Sequence, residues 1–378
     1  ATLTRARTLG GDLNYFEDDA GVTAWYGALL DYPDQAVLDL GDHDHDGEGS
    51  WNERSTGIAG AFHAALGAQG HWGVAAYLQE DLPADAPGGG ATLIGAHRFG
   101  RIDLALRAQF TSYFDGANST ESDGYGQSLY FHAYGLGLRW DLSDRVYADL
   151  AGDLVNVQGD DTNQGLWTLP PQQTWSTWTA RGRCFVAVGE RTVLVPVLDH
   201  RRDDRQVVAE VIGAPADQHA RLTAAGLGLN LLPDPDNLIV VSAEYRWGQE
   251  RDDRLRGSST SWEYDESELT YNEVHARVGL ESRVLSWLTV RGAITYYRLQ
   301  QELLATRGET FGEPDRWLDE KSIDVLSPVT LGFALHLGSL QADVLLNARW
   351  KETYGTVPFG PTPDELGTYT AITLGYFF

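Results

Sequence analysis

The sequence predicts an all-β fold: a transmembrane antiparallel up-and-down β-barrel of about 16 strands, with 14 as the alternative count. Three observations predict it. The last eleven residues alternate with a two-residue period. From Gln35 onward similar segments follow one another in pairs. The connections between them are very short at one end and long and polar at the other. That end-to-end asymmetry marks a membrane barrel with short periplasmic turns and long extracellular loops, whereas a soluble β-sandwich mixes its connection lengths.

The carboxy-terminal segment Thr368–Phe378 reads TYTAITLGYFF. Phe378, Tyr376, Leu374, Ile372 and Thr370 share one face; Phe377, Gly375, Thr373 and Ala371 share the other. So apolar an edge strand invites aggregation in water, whereas a closed barrel in lipid has no edge. The ending resembles the carboxy-terminal signature of Gram-negative outer-membrane β-barrel proteins, with a terminal Phe and aromatic or apolar residues two, four and six positions back. That resemblance implies a bacterial outer-membrane location. The strand is expected to pair with the one beginning near Gln35, with Phe378 at the periplasmic rim. Its small inward face leaves room beside the closing seam for the segment before Gln35.

Composition is compatible with this class and excludes others. The 378-residue chain carries a net charge of −26, and its mean hydropathy is −0.30. No apolar run approaches the ~18 residues that a spanning helix needs. Barrel strands escape that test because only alternate residues meet lipid. The acidity argues against nucleic acid as a partner, since phosphate binding needs basic surface. The single cysteine, Cys184, excludes an internal disulfide and a multi-cysteine metal site. A first residue Ala1 and the absence of Met suggest that the numbering starts after a removed signal peptide, as in an exported protein.

Residues 1–34 do not alternate cleanly and read as a periplasmic or lumen-inserted segment, leaving 35–378 as the barrel. Leu9-Gly10-Gly11, Asp18-Asp19 and Ala28-Leu29-Leu30 resemble the amino-terminal hatch of the fatty-acid transporter family and its secretion-associated relatives. Where that family commonly has Asn-Pro-Ala, this chain has Tyr26-Gly27-Ala28. The resemblance implies uptake of hydrophobic substrates.

The expected strands are 35–42, 57–67, 71–80, 91–98, 101–114, 127–141, 145–158, 173–188, 191–203, 218–231, 237–250, 271–284, 287–301, 327–337, 339–353 and 368–378. The expected short turns are Gly67–Gly70, Phe99–Gly100, Ser143–Asp144, Gly189–Glu190, Pro233–Asn237, Leu285–Ser286 and Gly338. In strand 287–297, Leu288, Val290, Ile294 and Tyr296 oppose Thr289, Arg291 and Thr295. Strands 102–111, 145–154 and 273–284 also collect their charges on one face. An Arg or Lys facing mid-bilayer lipid costs about 2–4 kcal/mol, so the charged faces point inward. The expected lumen-lining residues are Asp103, Arg107, Asp149, Asp153, Arg181, Arg183, Glu244, Arg246, Glu273, His275, Arg277, Glu281, Arg283, Arg291, Asp343 and Arg349. They admit two readings: a hydrated pore whose wall selects solutes by field and size, or a salt-bridged lumen that braces the wall.

The sharpest motif lies in residues 42–53. Asp42, Asp44, Asp46, Gly47, Glu48, Ser50 and Glu53 match the calcium-loop spacing D-x-[DN]-x-[DN]-G-x₅-E. Alternate oxygen ligands suit Ca²⁺, and His43 and His45 open the alternative of a transition metal. A solvated acidic loop is the bland reading. Further acidic stretches at Glu80–Asp85, Asp115–Asp123, Asp160–Asp161 and Glu263–Glu268 would form a negative rim able to bridge to lipopolysaccharide phosphates through divalent ions. Loops 160–172 and 303–326, with Trp167, Phe311, Pro314 and Trp317, are long enough to fold inward as a constriction.

No GxSxG, HExxH, P-loop or zinc-ligand spacing is present, so the chain does not read as an enzyme. His200 and His275, beside Glu273, are acid–base candidates, and a lone lumenal His more often serves as an ion-pair partner. The leading expectation is an outer-membrane channel for passive diffusion of small solutes. Its alternatives are a hydrophobic-substrate uptake barrel and a non-conducting barrel that scaffolds a surface or secretion complex, with 251–270 as a docking loop. Outer-membrane lipid, lipopolysaccharide and a homo-oligomeric or surface-complex partner complete the expected contacts.

Overall fold

The computed structural model describes residues 5, 8–9, 14–32, 34–42, 56–66, 71–81, 88–116, 126–161, 172–209, 214–258, 261–309, 315–326, 330–350 and 366–378. Seventeen strand segments run β1 (Gln35–Asp42), β2 (Thr56–Leu66), β3 (Trp72–Asp81), β4 (Gly88–Phe99), β5 (Ile102–Gly116), β6 (Gly126–Ser143), β7 (Val146–Asp161), β8 (Gln172–Gly189) and β9 (Thr192–Ala209). They continue as β10 (Ala214–Asp234), β11 (Asn237–Ser258), β12 (Ser261–Leu285), β13 (Leu288–Glu309), β14 (Asp315–Leu326), β15 (Thr330–Leu337), β16 (Leu340–Trp350) and β17 (Leu366–Phe377). Apart from β14 and β15, each pairs antiparallel with its sequence neighbours. β14 and β15 both pair with β13, the first along Tyr296–Arg307 and the second along Leu288–Ala293. The two form one interrupted stave, so the barrel has sixteen. Pro328, which has no N–H to give a ladder, falls between them.

The barrel closes where β1 pairs with β17, Gln35 opposite Phe377 and Leu40 opposite Ile372. Phe62 and Phe378 stack across that seam at 5.8 Å, and the Phe378 N–H donates to the Asp34 carbonyl at 3.2 Å. Two-residue turns at 100–101, 144–145, 190–191, 235–236, 286–287 and 338–339 gather at one end. Gly100 and Gly338 adopt φ of 64° and 66°, a conformation that only glycine takes without strain.

The outward faces are apolar. Leu78, Leu106 and Leu154 are more than 60% exposed, as lipid-facing side chains are in the absence of lipid. Two aromatic girdles bound this band. Trp72, Phe99, Trp140, Trp287, Tyr376 and Phe378 stand at the turn end; Phe110, Tyr130, Tyr134, Trp178, Tyr245 and Trp247 stand toward the loops.

Several expected boundaries were too short at the loop end. The expected docking loop 251–270 is almost wholly strand, since β11 runs to Ser258 and β12 starts at Ser261. The described residues of 303–326 are strand and not an inward loop: 303–309 continue β13, and 315–326 are β14, with Trp317 opposite Ala305. Above the bilayer both faces of a strand meet water. The alternation that marks a strand therefore fades while its hydrogen-bonded ladder continues. Phe311, Pro314 and residues 162–171 lie outside the described residues.

The described residues from Arg5 to Asp31 lie against the inward faces of the strands. Leu9, Tyr15 and Phe16 pack on Phe185, Val195, Val197 and Val240. Val22, Trp25, Tyr26 and Leu29 pack on Ala75, Ile94, Ala96, Ala105 and Ala151. The turn of 3₁₀ helix at Tyr26–Asp31 rests against β3–β7, away from the closing seam where room for it was expected. Trp25, Tyr15, Tyr26 and Phe16 are among the largest fully buried side chains of the protein. Burying each is worth about 1.5–3 kcal/mol.

Candidate functional site

The site is the inner wall at the turn end together with the amino-terminal segment seated on it. The expected lumen-facing residues Asp103, Arg107, Asp149, Asp153, Arg181, Arg183, Glu244, Arg246, Glu273, His275, Arg277, Glu281, Arg291 and Asp343 do share the inward face by strand register. Arg283, opposite Thr289 in the same register, reaches the exposed turn rim, where its Nη2 donates to the Ser286 carbonyl at 3.0 Å. Arg349 opposes Gly367 on the inward face, and its side chain lies outside the described set. Of the calcium-loop residues only Asp42 is described, as the end of β1; residues 43–55 lie outside the described residues.

Near the turn end of β4–β8 one cluster of the wall holds three arginines, Arg98, Arg139 and Arg183, and two aspartates, Asp103 and Asp149. Arg98 donates to Asp103 through Nε at 2.8 Å and Nη2 at 2.6 Å. Arg139 donates to Asp149 through Nε at 2.7 Å and Nη2 at 2.9 Å, and Arg183 Nε joins the same carboxylate at 2.8 Å. The amino-terminal segment supplies the missing negative charge. Asp31 accepts from Arg98 at 2.6 Å and from Arg139, and Glu17 lies 3.1 Å from Arg139. Arg183 also stacks on Trp25 at 4.6 Å and on Phe185 at 4.8 Å.

Across the lumen the imbalance reverses. Glu281 on β12 and Asp343 on β16 share one wall cation, Arg291. Here the segment supplies a cation. Arg5 donates to Glu281 through Nε at 2.7 Å and Nη2 at 2.9 Å, and its Nη1 reaches Asp18 at 2.8 Å. Burial opposes the charged guanidinium, but Asp18 and Glu281 outweigh burial and hold the Arg5 pKa above its ordinary value.

Two tyrosines tie the segment down between these seats. Tyr15 donates to Glu244 at 2.7 Å, while Asn230 donates to the Tyr15 carbonyl at 2.9 Å. Tyr26 donates to Asp153 at 2.7 Å, and Asp153 also accepts from Arg107 at 2.9 Å and Arg181 at 3.3 Å. Burial first, and then the Asp153 charge, push the Tyr26 pKa up, so its hydroxyl stays a proton donor. Burial likewise raises the Tyr32 hydroxyl. Backbone approach is close as well: a Cβ built on Gly137 would meet Tyr26 Cδ2 at 2.5 Å and the Gly27 nitrogen at 2.8 Å.

A closed stave cylinder, an apolar band between two aromatic girdles and an ionic interior together fix the class. This is an outer-membrane β-barrel. No family model and no curated protein matches the sequence. Among solved structures the chain is similar to the open form of the ferric-catecholate import receptor Fiu of E. coli K12, with TM-score 0.44, 9% identity, and 92% of this chain and 81% of that one covered. It is also similar to the TodX ΔS2S3 mutant monoaromatic hydrocarbon channel, with TM-score 0.45, 11% identity, and 98% and 97% covered. CdiB of Acinetobacter baumannii gives TM-score 0.42 at 12% identity, with 92% of this chain but 60% of that one covered. These likenesses do not reach the level of residues.

Sequence reasoning missed Arg139, although Ala133, Gly135, Gly137 and Arg139 alternate with Tyr134, Leu136, Leu138 and Trp140. Splitting strand 127–141 into its two faces would have found it. Arg5, Asp31, Tyr15 and Tyr26 carried no periodic signal, because a segment seated in a lumen is shaped by the wall around it.

Proposed function

We propose that the protein is an outer-membrane transport channel held closed by its own amino-terminal segment, and that small solutes diffuse passively along the charged lumen once the segment shifts. Charge complementarity supports this reading: the segment brings Asp31 and Glu17 to a wall patch with surplus arginine, and Arg5 to a patch with surplus carboxylate. A segment that served only as a spacer between a leader and the barrel would have no reason to match both patches. Lumen charges released from it are left to water and solute, which offsets part of the cost of releasing the segment.

In planar bilayers the wild type is expected to open rarely. The double variant Arg5→Gln, Asp31→Asn should raise open probability at least tenfold at unchanged unitary conductance. A steady wide-pore conductance in the wild type, identical in the variant, would sink the proposal.

One observation favours a second reading, uptake of hydrophobic substrates. Beyond the seated segment apolar and aromatic side chains, Phe131, Val157, Tyr271, Tyr297 and Leu299, join the charges of Arg201, Asp203 and Glu273 on the inward face. On the lipid side a groove of about 670 Å³ surrounds the bare Gly95, lined by Phe62, Val74, Leu93, Leu106 and Tyr134. Proteoliposome uptake of an apolar and a polar solute of equal size separates the two readings. Preference for the apolar solute would favour the second, and equal or reversed rates would remove it.

A further inference from the structure

The outward face carries a charge anomaly at the outer edge of its apolar band. Arg202 on β9 and Arg221 on β10 stand directly opposite each other in the ladder. Both point outward: Arg202 is also the register partner of the exposed Trp178 on β8, and Arg221 is exposed. Like charges facing each other across two strands destabilise a sheet. Among the described residues only one of the two has a counter-charge. Arg202 lies 3.0 Å from Asp204, which also holds His219 at 2.8 Å. Among the described residues Arg221 makes no ion pair. A chain of net charge −26 does not place two arginines together by composition.

Depth says what meets them. Arg202 is eleven residues along β9 from Arg191 at the turn, and Arg221 is fourteen along β10 from Pro235. At roughly 2.5 Å of height per residue for a strand tilted near ~40°, these positions lie ~28 and ~35 Å above the turns. The apolar band of such a barrel is about 25 Å tall, so both guanidinium groups stand at the headgroup layer of the outer leaflet. Trp178, directly opposite Arg202, and Trp247, opposite Thr223, mark the interface at this level.

We propose that Arg202 and Arg221 form a binding site for the phosphate monoester of an outer-leaflet glycolipid of the lipid A type, the phosphate seated between the two guanidinium forks. A phosphate offers the planar, doubly accepting edge that a guanidinium matches, and it relieves the repulsion that the ladder otherwise imposes. Trp178 and Trp247 then face the sugar and the first methylenes of the acyl chains. The site is independent of the amino-terminal segment and of what the lumen carries.

The test uses the full-length protein in phosphatidylcholine nanodiscs, titrated with bisphosphorylated lipid A, with enzymatically dephosphorylated lipid A and with inorganic phosphate. Correct folding of each variant is checked by heat-modifiable gel mobility. Wild type should bind the phosphorylated lipid at least tenfold more tightly than the dephosphorylated one. Arg202→Gln, Arg221→Gln should lose that preference, while Arg298→Gln, outward on β13 opposite Asp324, should keep it. A double variant that retains the preference overturns the proposal. Equal binding of the dephosphorylated lipid, or displacement by equimolar inorganic phosphate, overturns it as well, the latter by showing a free-anion site.

Discussion

Replacing Asp149 by Ala is expected to destabilise the folded barrel by about 3–5 kcal/mol, the usual consequence of removing one partner from a buried ionic cluster. Asp149 is 1% exposed and accepts three hydrogen bonds from Arg139 and Arg183, which are themselves 4% and 3% exposed. Its loss leaves two guanidinium groups with one fewer carboxylate on a wall patch already short of negative charge. Asp31 and Glu17 cannot offset both, because Asp31 is also held by Arg98. The contrast is Asp203→Ala. Asp203 pairs with Arg201 at 2.8 Å, but that arginine side chain is 47% exposed, and a solvated pair of this kind is worth about 0–1 kcal/mol. Reversible urea unfolding from lipid vesicles, followed by tryptophan fluorescence, measures both. Equal losses for the two variants would mean that the Asp149 cluster is hydrated and braces nothing.

The fold was legible because lipid writes a simple rule into sequence. A strand that crosses the bilayer must keep charge off its outer face, so 102–111, 145–154, 273–284 and 287–297 announced both their span and their orientation. The rule ends with the lipid. β11, β12 and β13 continue well past the residues where alternation fades, and β14 has no lipid-facing signature at all. The site was legible only by half. Wall charges such as Asp149 and Glu281 stood out as interruptions of an apolar alternation. What they hold did not, because Asp31 or Tyr26 in an irregular segment looks like any surface residue until a wall is placed opposite it. Counting the wall charges by patch would have been informative even so. In the cluster of Arg98, Asp103, Arg139, Asp149 and Arg183 three arginines face two aspartates, and in that of Glu281, Arg291 and Asp343 two acids face one arginine, which leaves residues of opposite sign to be supplied from elsewhere.

That seating makes a second strong prediction, at a residue with no charge. Gly137→Val should loosen the amino-terminal segment while leaving the barrel itself intact. The new Cβ would fall 2.5 Å from the Tyr26 ring and 2.8 Å from the Gly27 backbone, well inside contact distance. Gly27 has no room to retreat, since its own Cα faces the β6 backbone: a Cβ there would sit 2.6 Å from the Arg139 nitrogen. The ring must therefore move, and Tyr26 gives up its hydrogen bond to Asp153. Overpacking of this kind costs about 1–3 kcal/mol, and here it falls on the seated state alone. The expected result is a shift of roughly 5–150-fold toward the released segment, which corresponds to that range. Trp25, 1% exposed when seated, reports the release through increased quenching by acrylamide, and channel openings should rise in parallel. Gly95→Val is the matched control: on the outward face of β4 a Cβ meets no atom within 4 Å, so the same added bulk should change neither readout. If Gly137→Val leaves Trp25 quenching and open probability at wild-type values, the segment does not depend on this contact, and the charge seats alone hold it.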